Sequence, residues 1–206
     1  MPRHDSTCFK FIIAVAIPSV ANRGVNAKIF SDSRRMTSME LRIRPVRLSD
    51  AEAIYKICMQ DQVMPHIISL PSDRLEQLEE RYRTLPKNVH EFVAELNGNV
   101  VGHAGVVQLS ARRSHVGTFY IAVDSNYHSK GIGTALITKI IDLADNWLML
   151  ERVELGVLVT NSRAQALYER HGFVVEGKKT GAIKSAGRFV DEVVMSRLRP
   201  HGLLSR

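Results

Sequence analysis

The segment from His115 to Trp147 contains the feature that most restricts how this chain can fold. An apolar, β-branched run at His115–Val123 predicts a strand, and apolar residues at helical spacing after Gly133 predict a helix. Lys130-Gly131-Ile132-Gly133 joins the two, and its glycines permit a tight turn and a close approach of the backbone to a ligand. A strand that turns through glycines into an amphipathic helix predicts a layered structure of sheet and helices.

Patterns on both sides of this segment alternate between strand and helix in the same way. From Leu41 onward the periodicity predicts the order β-α-α-β-β-β-α-β-α-β-β, without repeats or low-complexity segments. The predicted strands are Leu41–Val46, Glu91–Leu96, Val100–Leu109, His115–Val123, Arg152–Val159, Phe173–Glu176 and Phe189–Arg197. Interleaved strands and helices of this kind indicate an α/β (α+β) fold.

Local signals place the ends of several elements. Ser49-Asp-Ala-Glu52 has the form of a capping box that opens the first helix, and Pro71-Ser72-Asp73 precedes the second. Asn97-Gly98 between two β-rich runs predicts a hairpin, because both residues tolerate positive φ. The last helix is predicted at Ser162–His171. The helix after the glycine turn is expected to bury one apolar face, made of Leu136, Ile137, Ile140, Ala144 and Trp147.

Residues 1–39 differ in kind from the remainder. They hold six lysines and arginines against two acidic residues, so more than half of the net charge of +7 lies there. Three interpretations of this segment stay open: a targeting peptide, a disordered extension, or upstream sequence included by a misassigned start codon. Met36 and Met39, which lie just before the first strand, are alternative start positions. We expect an extension or misassigned start at 1–39, one catalytic domain at 40–199 and a short tail at 200–206.

Composition argues against several classes of protein. No run of about eighteen apolar residues is present, so nothing predicts a membrane-spanning helix. The cysteines, Cys8 and Cys58, are too few for a disulfide framework and lack the spacing of zinc ligands, which indicates a reducing, cytoplasmic setting without a metal. Outside residues 1–39 there are 22 basic and 19 acidic residues, a balance that disfavours nucleic acid as the partner.

The glycine turn also predicts an anion site. Amide groups at the start of a helix point outward without internal partners, and the positive end of the helix dipole favours a phosphate there. Lys130 and His128 are placed to add charge. The third glycine of a dinucleotide fingerprint is missing, and no Gly-Lys-Ser/Thr of a P-loop follows. The remaining interpretation is a ligand that contains a diphosphate and binds to another type of α/β fold.

Two motifs together resemble one known family. Tyr127–Ala135 resembles the acetyl-CoA pyrophosphate loop of the GNAT superfamily, Arg/Gln-x-x-Gly-x-Gly/Ala, with His128 in the place of the usual Arg or Gln. Asn161-Ser-Arg-Ala164-Gln-Ala-Leu167-Tyr168-Glu-Arg-His-Gly172-Phe173 is similar to the family's Asn-x-x-Ala-x-x-Leu-Tyr-x-x-x-Gly-Phe segment. The resemblance covers about Leu41–Arg199. It implies the GNAT fold, a mixed central sheet of six to seven strands that is splayed between the fourth and fifth strands and flanked by about four helices.

The resemblance implies an acetyl-CoA-dependent N-acetyltransferase and assigns its coenzyme site. Backbone groups near Ile121 and Val123 would pair with the pantetheine arm as an extra strand would, and Asn161 would hydrogen-bond to that arm. The implied residues that bind the co-substrate acetyl-CoA are Ile121, Val123, His128, Ser129, Lys130, Gly131, Ile132, Gly133, Thr134, Asn161 and Ala164.

The implied catalytic residues are Tyr168 and His115. Tyr168 would lie beside the sulfur and protonate the thiolate as CoA leaves, since the pKa of a phenol, about 10, is close to that of a thiol, about 8.5. Some members of the family carry a glutamate in the fourth strand, where this chain has Gly117. His115 lies two residues earlier on the same strand face and can take a proton near neutral pH. The rivals for the role of general base are Glu154, His103 and an ordered water chain.

A narrower likeness concerns the acceptor amine. Four segments resemble the bacterial L-amino acid N-acetyltransferase branch: Arg112-Arg113-Ser-His115-Val, Asp145-Asn146-Trp147-Leu148, Arg152-Val-Glu154-Leu and Glu176-Gly…Val190-Asp191. The implied acceptor is the α-amine of a free, apolar L-amino acid, whose carboxylate would pair with Arg112 or Arg113. The family also implies a possible homodimer, while composition and charge predict neither a membrane nor a nucleic acid as partner.

Three other functions stay open at this point. The chain could acetylate protein or peptide N-termini, bind acyl-CoA as a non-catalytic regulatory module, or bind nucleic acid through its basic N-terminal arm. Release of CoA with a panel of amines separates the enzymes from the module. DNA affinity that is lost on deletion of residues 1–39 would identify the third function.

Overall fold

A single seven-stranded sheet is the frame of the structure, a computed structural model that describes residues 40–204. Its order is β1-β2-β3-β4-β5-β7-β6, and the one parallel pair within this range is β4–β5. The strands are β1 Leu41–Pro45, β2 Val89–Leu96, β3 Asn99–Gln108, β4 Val116–Val123, β5 Arg152–Leu158, β6 Val174–Ser185 and β7 Arg188–Leu198.

Four α-helices cover the two faces of this sheet. They are α1 Ala51–Cys58, α2 Leu75–Arg83, α3 Ile132–Asp142 and α4 Ser162–Arg170. Ile54 of α1 and Tyr82 of α2 pack against Val93, while Leu136 of α3 packs on the other face beside Val106. The α/β (α+β) prediction of a mixed sheet with about four helices is confirmed.

The sheet opens between β4 and β5. Val116–Thr118 pairs with Arg152–Glu154, and the pairing stops there. Beyond that point Phe119–Val123 keeps only β3 as a neighbour, and the rest of β5 keeps only β7, within the part of the chain that the structure describes. The predicted splay between the fourth and fifth strands is therefore present. Each strand lines the gap with one unpaired backbone edge.

A close contact at the closed end of the gap explains Gly117. A Cβ at this position would lie 2.7 Å from Leu150 Cδ1 and 2.7 Å from Val106 Cγ2. Distances this short leave no room for a side chain, so Gly117 lets these two side chains close over β4. Position 117 of the fourth strand therefore has no room for the glutamate that some members of the family carry there.

The predicted capping box at the start of α1 is wrong. The Asp50 carboxylate, rather than the Ser49 hydroxyl, accepts the nearby amide, that of Arg47, at 2.7 Å. Asp50 is held there by the buried Arg44, whose two Nη atoms donate at 2.7 and 2.9 Å. Glu52 instead pairs with Lys56 on the helix surface. A buried arginine on β1 therefore overrides the local sequence signal.

Two further expectations need correction. Trp147 is 75% exposed, because Leu143–Trp147 forms a π turn in which the Leu148 N–H donates to the Leu143 carbonyl, and the added residue rotates the indole to the surface. The closing hairpin is also longer than predicted, since β6 continues through a mostly polar stretch to Ser185. It turns at Ala186 and Gly187, both at positive φ.

The predicted domain boundaries at 39/40 and 199/200 stay predictions. The expected extension, 1–39, lies outside the described residues. Within residues 40–204 no helix combines the length and apolar character that crossing a membrane requires.

Replacement of Arg44 by Met should lower the free energy of unfolding by about 3 kcal/mol, because it leaves a buried carboxylate without its guanidinium partner. Arg42→Met, two residues earlier on the same strand face but exposed near the start of β1, is the matched control and should change the free energy of unfolding by less than about 0.5 kcal/mol. Urea unfolding of both variants measures the difference, and equal stability would contradict the role given to Arg44.

The same pair predicts a pH dependence. Burial by itself raises the pKa of Asp50, but hydrogen bonds from Arg44 and Arg47 hold that pKa below its usual value. A lowered carboxyl pKa stabilises the fold above the ordinary Asp pKa and loses this effect as the pH falls. The stability difference between wild type and Arg44→Met should therefore shrink below about pH 4.

Candidate active site

The glycine turn after β4 presents the start of α3 to solvent. Gly131 is the residue before the helix, with φ +79°, and no side chain caps the first amides of α3. The N–H groups of Ile132, Gly133 and Thr134 therefore lack a partner within the helix. A Cβ at Gly133 would meet Leu167 Cδ2 at 3.2 Å, so this glycine lets α3 approach α4 closely. The turn has the geometry expected of an anion cradle.

A cavity of about 440 Å³ lies against this turn, between α3 and α4. It brings together eight of the predicted coenzyme residues: Val123, His128, Ser129, Gly131, Ile132, Gly133, Thr134 and Ala164. Lys130 is adjacent but does not line it, and the Lys130 ammonium lies 4.8 Å from the centroid of the Tyr127 ring.

Two arginines that the motifs did not indicate also line this cavity. Arg163 and Arg170 are seven residues apart and therefore share one face of α4. Arg163 Nη2 donates to Ser129 Oγ at 3.0 Å, which ties α4 to the turn. Burial, together with the charge of Arg170, lowers the pKa of Arg163. Two like charges on one concave surface favour a ligand with more than one negative charge.

His128 does not supply the charge expected of it. Its Nε2 lies 2.9 Å from the Val123 carbonyl oxygen, so the ring is turned back onto the end of β4. Burial lowers the pKa of His128, and the charge of Arg163 acts in the same direction. The ring is therefore neutral at pH 7, with an Nε2–H that donates to Val123. Its side chain fixes the turn to the strand, and the positive charge comes from α4 instead.

Asn161 and Tyr168 each bury a donor that has no partner within residues 40–204. Asn161 follows β5 and caps α4, where its Oδ1 accepts the Ala164 N–H at 3.1 Å and its Nδ2 is left over. The Tyr168 ring is fully buried between Phe119 and Phe173, with centroids at 6.0 and 5.9 Å, and its hydroxyl also has no partner among the described residues.

Orphaned buried donors are rare in native proteins and commonly mark a ligand position. These two lie on the α4 side of the gap between β4 and β5, which suits a ligand with acceptor atoms along its length. Burial raises the pKa of Tyr168, so its hydroxyl stays protonated at neutral pH. The unpaired edge of β4, which includes Ile121 and Val123, is open to a ligand that pairs like a strand.

A second cavity, of about 360 Å³, lies on the opposite face of the sheet. It is bounded by α1, α2 and the segment between them, and its floor includes His103 together with Tyr120, Ile121 and Ala122 of β4. The floor is therefore the same unpaired stretch of β4 that borders the gap. A molecule in this cavity would meet a ligand laid along that edge.

A buried carboxylate organises the floor of this second cavity. Glu91 accepts from His103 Nδ1 at 2.7 Å, from Tyr82 and Tyr120 hydroxyls at 2.7 and 2.6 Å, and from Arg81 at 3.1 Å. Burial by itself raises the pKa of Glu91, but these partners lower it, His103 above all. Burial likewise lowers the pKa of His103, yet its hydrogen bonds and the charge of Glu91 raise it to about 9.

Glu91 therefore lies between two basic groups, His103 and Arg81. Both of these groups line the second cavity. The sequence does contain a signal for this buried carboxylate, because Glu91 alternates in step with Val89 and Val93 and therefore points to the same buried side of β2. A charged residue in a buried phase is unusual and indicates a paired or functional group.

The structure does not bring His115 to either cavity. His115 is exposed and lies before β4, at the closed end, where its carbonyl accepts the N–H groups of Glu151 and Arg152. Its role as general base stays a prediction that its position does not support. Glu154 accepts from Arg113 and Arg152 through its two oxygens. Arg113 is therefore engaged in a surface ion pair, away from both cavities.

Within residues 40–204 no group of three or more His, Cys, Asp or Glu side chains could hold a metal ion. The two cavities are lined by arginine, tyrosine, histidine and thiol side chains, with backbone amides at the glycine turn. None of these needs a metal to bind a diphosphate or to move a proton.

Comparisons with known proteins agree with this geometry. Residues 51–173 match the model of the acetyltransferase (GNAT) family. Over 161 residues the chain is 36% identical to the L-amino acid N-acetyltransferase AaaT of Escherichia coli, covering 78% of this chain and 99% of that protein. It is 28% identical over 159 residues to spermidine N(1)-acetyltransferase of Vibrio cholerae, covering 74% and 89%. The crystal structure of spermidine N-acetyltransferase from Vibrio cholerae with CoA and spermine superposes with a TM-score of 0.71 at 25% identity, covering 77% and 95%.

Replacement of Gly131 by Val should weaken CoA binding by about ten-fold or more, because a branched side chain would fill the cradle and resist positive φ. Gly98→Val is the matched control. Gly98 has φ +81°, against +79° at Gly131, and a Cβ at either position would have no atom within 4 Å, but Gly98 lies in the β2–β3 turn. Calorimetric titration with CoA should show weaker binding for Gly131→Val alone, and equal affinities would place the phosphates elsewhere.

Proposed function

Because the chain belongs to the GNAT acetyltransferase family and is an N-acetyltransferase, we propose that it acetylates the α-amine of a free L-amino acid. Members of the family use acetyl-CoA as the acetyl donor. In the proposed reaction the amine attacks the thioester directly, and Tyr168 acts as the general acid. The observation that carries the proposal is the buried Tyr168 hydroxyl, which has no partner among the described residues and belongs to a ring packed against Phe119 of β4.

The residues present fit the coenzyme. The first amides of α3 with Arg163 and Arg170 would hold its diphosphate, while the edge of β4 and Asn161 Nδ2 would hold its pantetheine arm. When bound, acetyl-CoA supplies an activated acetyl group as a thioester. This arrangement accounts for both orphaned donors and for the glycine at the start of α3.

Tyr168 is suited to protonate a departing thiolate. The ring is packed between Phe119 and Phe173, which fixes the position of the hydroxyl, and no acceptor in the described part of the chain competes for its proton. Its raised pKa keeps it protonated, and an adjacent thiolate in a water-poor site is a strong acceptor. The hydroxyl can therefore pass its proton to the sulfur as the carbon–sulfur bond breaks.

The second cavity suits the acceptor. It is lined by Arg81 and His103, whose N–H donors complement the carboxylate of an amino acid. In this proposal α2 and β3 recognise the carboxylate, in place of Arg112 or Arg113. The likeness to AaaT, named for acting on L-amino acids, supports the same choice.

The same region gives less support to a polycation as the acceptor. Glu154 and Glu192 border the gap from the β5–β7 side. Glu154 is paired with Arg113 and Arg152, and Glu192 with Lys179 at 2.8 Å. Carboxylates that are already neutralised attract a polyamine weakly, although spermidine acetyltransferases are among the relatives.

The acceptor class is tested by CoA release with a panel of free L-amino acids, peptides and polyamines. We expect turnover with apolar L-amino acids, lost when the carboxylate is amidated, because the amide no longer pairs with Arg81 and His103. Preferred turnover of spermidine or of peptide N-termini would overturn the amino acid assignment. Acetyl-CoA binding without release for any amine would indicate a non-catalytic module.

Tyr168→Phe should lower turnover by about ten-fold to a thousand-fold and leave the affinity for CoA nearly unchanged. The variant should be at least as stable as wild type, because the lost hydroxyl has no partner in the described structure and its burial costs free energy. Steady-state CoA release and thermal unfolding measure the two effects. Wild-type turnover in a folded variant would remove Tyr168 from the chemistry.

A further inference from the structure

The acceptor cavity contains a thiol in line with an imidazole and a carboxylate. Cys58, in the last turn of α1, places its Sγ 3.8 Å from His103 Nε2, and His103 Nδ1 lies 2.7 Å from Glu91 Oε1. Cys58 and His103 both line the cavity, while the Glu91 side chain is fully buried beneath them. A nucleophile, a base and a group that orients the base are the parts of an activated nucleophile.

The surroundings favour transfer of the thiol proton to the imidazole. Glu91 fixes the His103 ring through Nδ1, so that Nε2 faces Cys58, and its negative charge stabilises the imidazolium. Burial lowers the pKa of His103, but the hydrogen bond with Cys58, followed by the hydrogen bond and charge of Glu91, raises it. Tyr82 donates to the same Glu91 oxygen as His103, and Tyr120 donates to the other oxygen, which keeps the carboxylate in place. A cysteine that only filled space in the core would need none of these partners.

The position of Cys58 gives this thiol a specific electrophile. Its cavity has Tyr120, Ile121 and Ala122 as part of the floor, and this stretch belongs to the unpaired edge of β4. In the proposed function the acetyl thioester lies along that edge. The thiol therefore stands on the side from which the acceptor amine would approach.

We infer that Cys58, with His103 and Glu91, is a nucleophilic thiol site of the acceptor cavity that takes the acetyl group from acetyl-CoA when no amine is bound. The inference rests on the proposed function for its donor. The Cys58 sulfur, its proton passed to His103, adds to the acetyl carbonyl carbon. The bond from that carbon to Cys58 forms, the bond to the CoA sulfur breaks, and the proton on His103 leaves with CoA as its thiol.

The S-acetylated Cys58 occupies the place of the acceptor. A neutral amine that enters later can attack this thioester, so that the carbon–nitrogen bond forms, the Cys58 sulfur leaves and His103 takes the proton of the amine. Direct transfer to a bound amine does not pass through this step. The thiol site is thus a second acetyl acceptor within the same cavity.

Acetylation of Cys58 is tested by incubating the full chain with acetyl-CoA in the absence of amine, quenching with acid and measuring intact and peptide masses. We expect one acetyl group on the peptide that contains Cys58, lost in Cys58→Ala and retained in Cys8→Ala, the matched control for the other cysteine. Addition of an accepted amino acid before the quench should remove the adduct. No adduct at Cys58, in protein that releases CoA with amino acids, would overturn the inference and leave the proposed function standing.

Activation of the thiol is tested without acetyl-CoA, by alkylation with iodoacetamide at pH 7. Cys58 should react faster than the cysteine of a short unstructured peptide, because His103 takes the thiol proton. His103→Gln can keep a hydrogen bond to Glu91 but cannot take the proton, and should slow alkylation at pH 7 by about ten-fold or more.

The wild-type rate tests the activated site even if His103→Gln does not fold. A Cys58 rate no higher than that of the peptide thiol would overturn the activated site. Fast alkylation of Cys58 in protein that releases no CoA with any amine would support the thiol site while the proposed function fails, so the two failures are distinguishable.

Discussion

The short pairing between β4 and β5 is the constraint on which both cavities depend. Three residue pairs join the strands, and Gly117 lets Leu150 and Val106 close over that end. Because the two strands are parallel, their carboxyl ends reach the same open edge. The turn after β4 delivers Gly131 there, and the turn after β5 delivers Asn161. A strand-like ligand can enter only where the pairing has stopped.

The two faces of the sheet contribute different groups around this opening. The α3–α4 face offers amides, arginines and a protected phenol, which suit a long anionic molecule. The α1–α2 face offers a floor with Arg81 and His103, held together by the buried Glu91. A buried carboxylate is tolerated only when fully hydrogen-bonded, and four donors satisfy Glu91, so the network that sets the charge also keeps the floor rigid. The edge of β4 is common to both faces.

Local patterns in the sequence were sufficient for the element order, the β2–β3 hairpin and the glycine turn, because periodicity and glycine φ act over a few residues. The two motifs led to Asn161 and Tyr168, whose buried donors lack partners in the part of the chain that is described. Contacts between distant segments were out of reach: the Cys58–His103 pair spans 45 residues, and Arg163 meets the turn only through packing of α4. His115 failed to reach a cavity because strand phase does not tell where along β4 the sheet opens.

The π turn at Leu143–Trp147 has a practical consequence for spectroscopy. It sends the chain's single tryptophan to the surface, where the indole is mostly hydrated in the native state. Its emission should therefore resemble that of an indole in water before and after denaturation, and it is a poor reporter of the core. A large blue shift on mixing with another molecule would instead locate a contact at this corner, beside Met149 and Arg199.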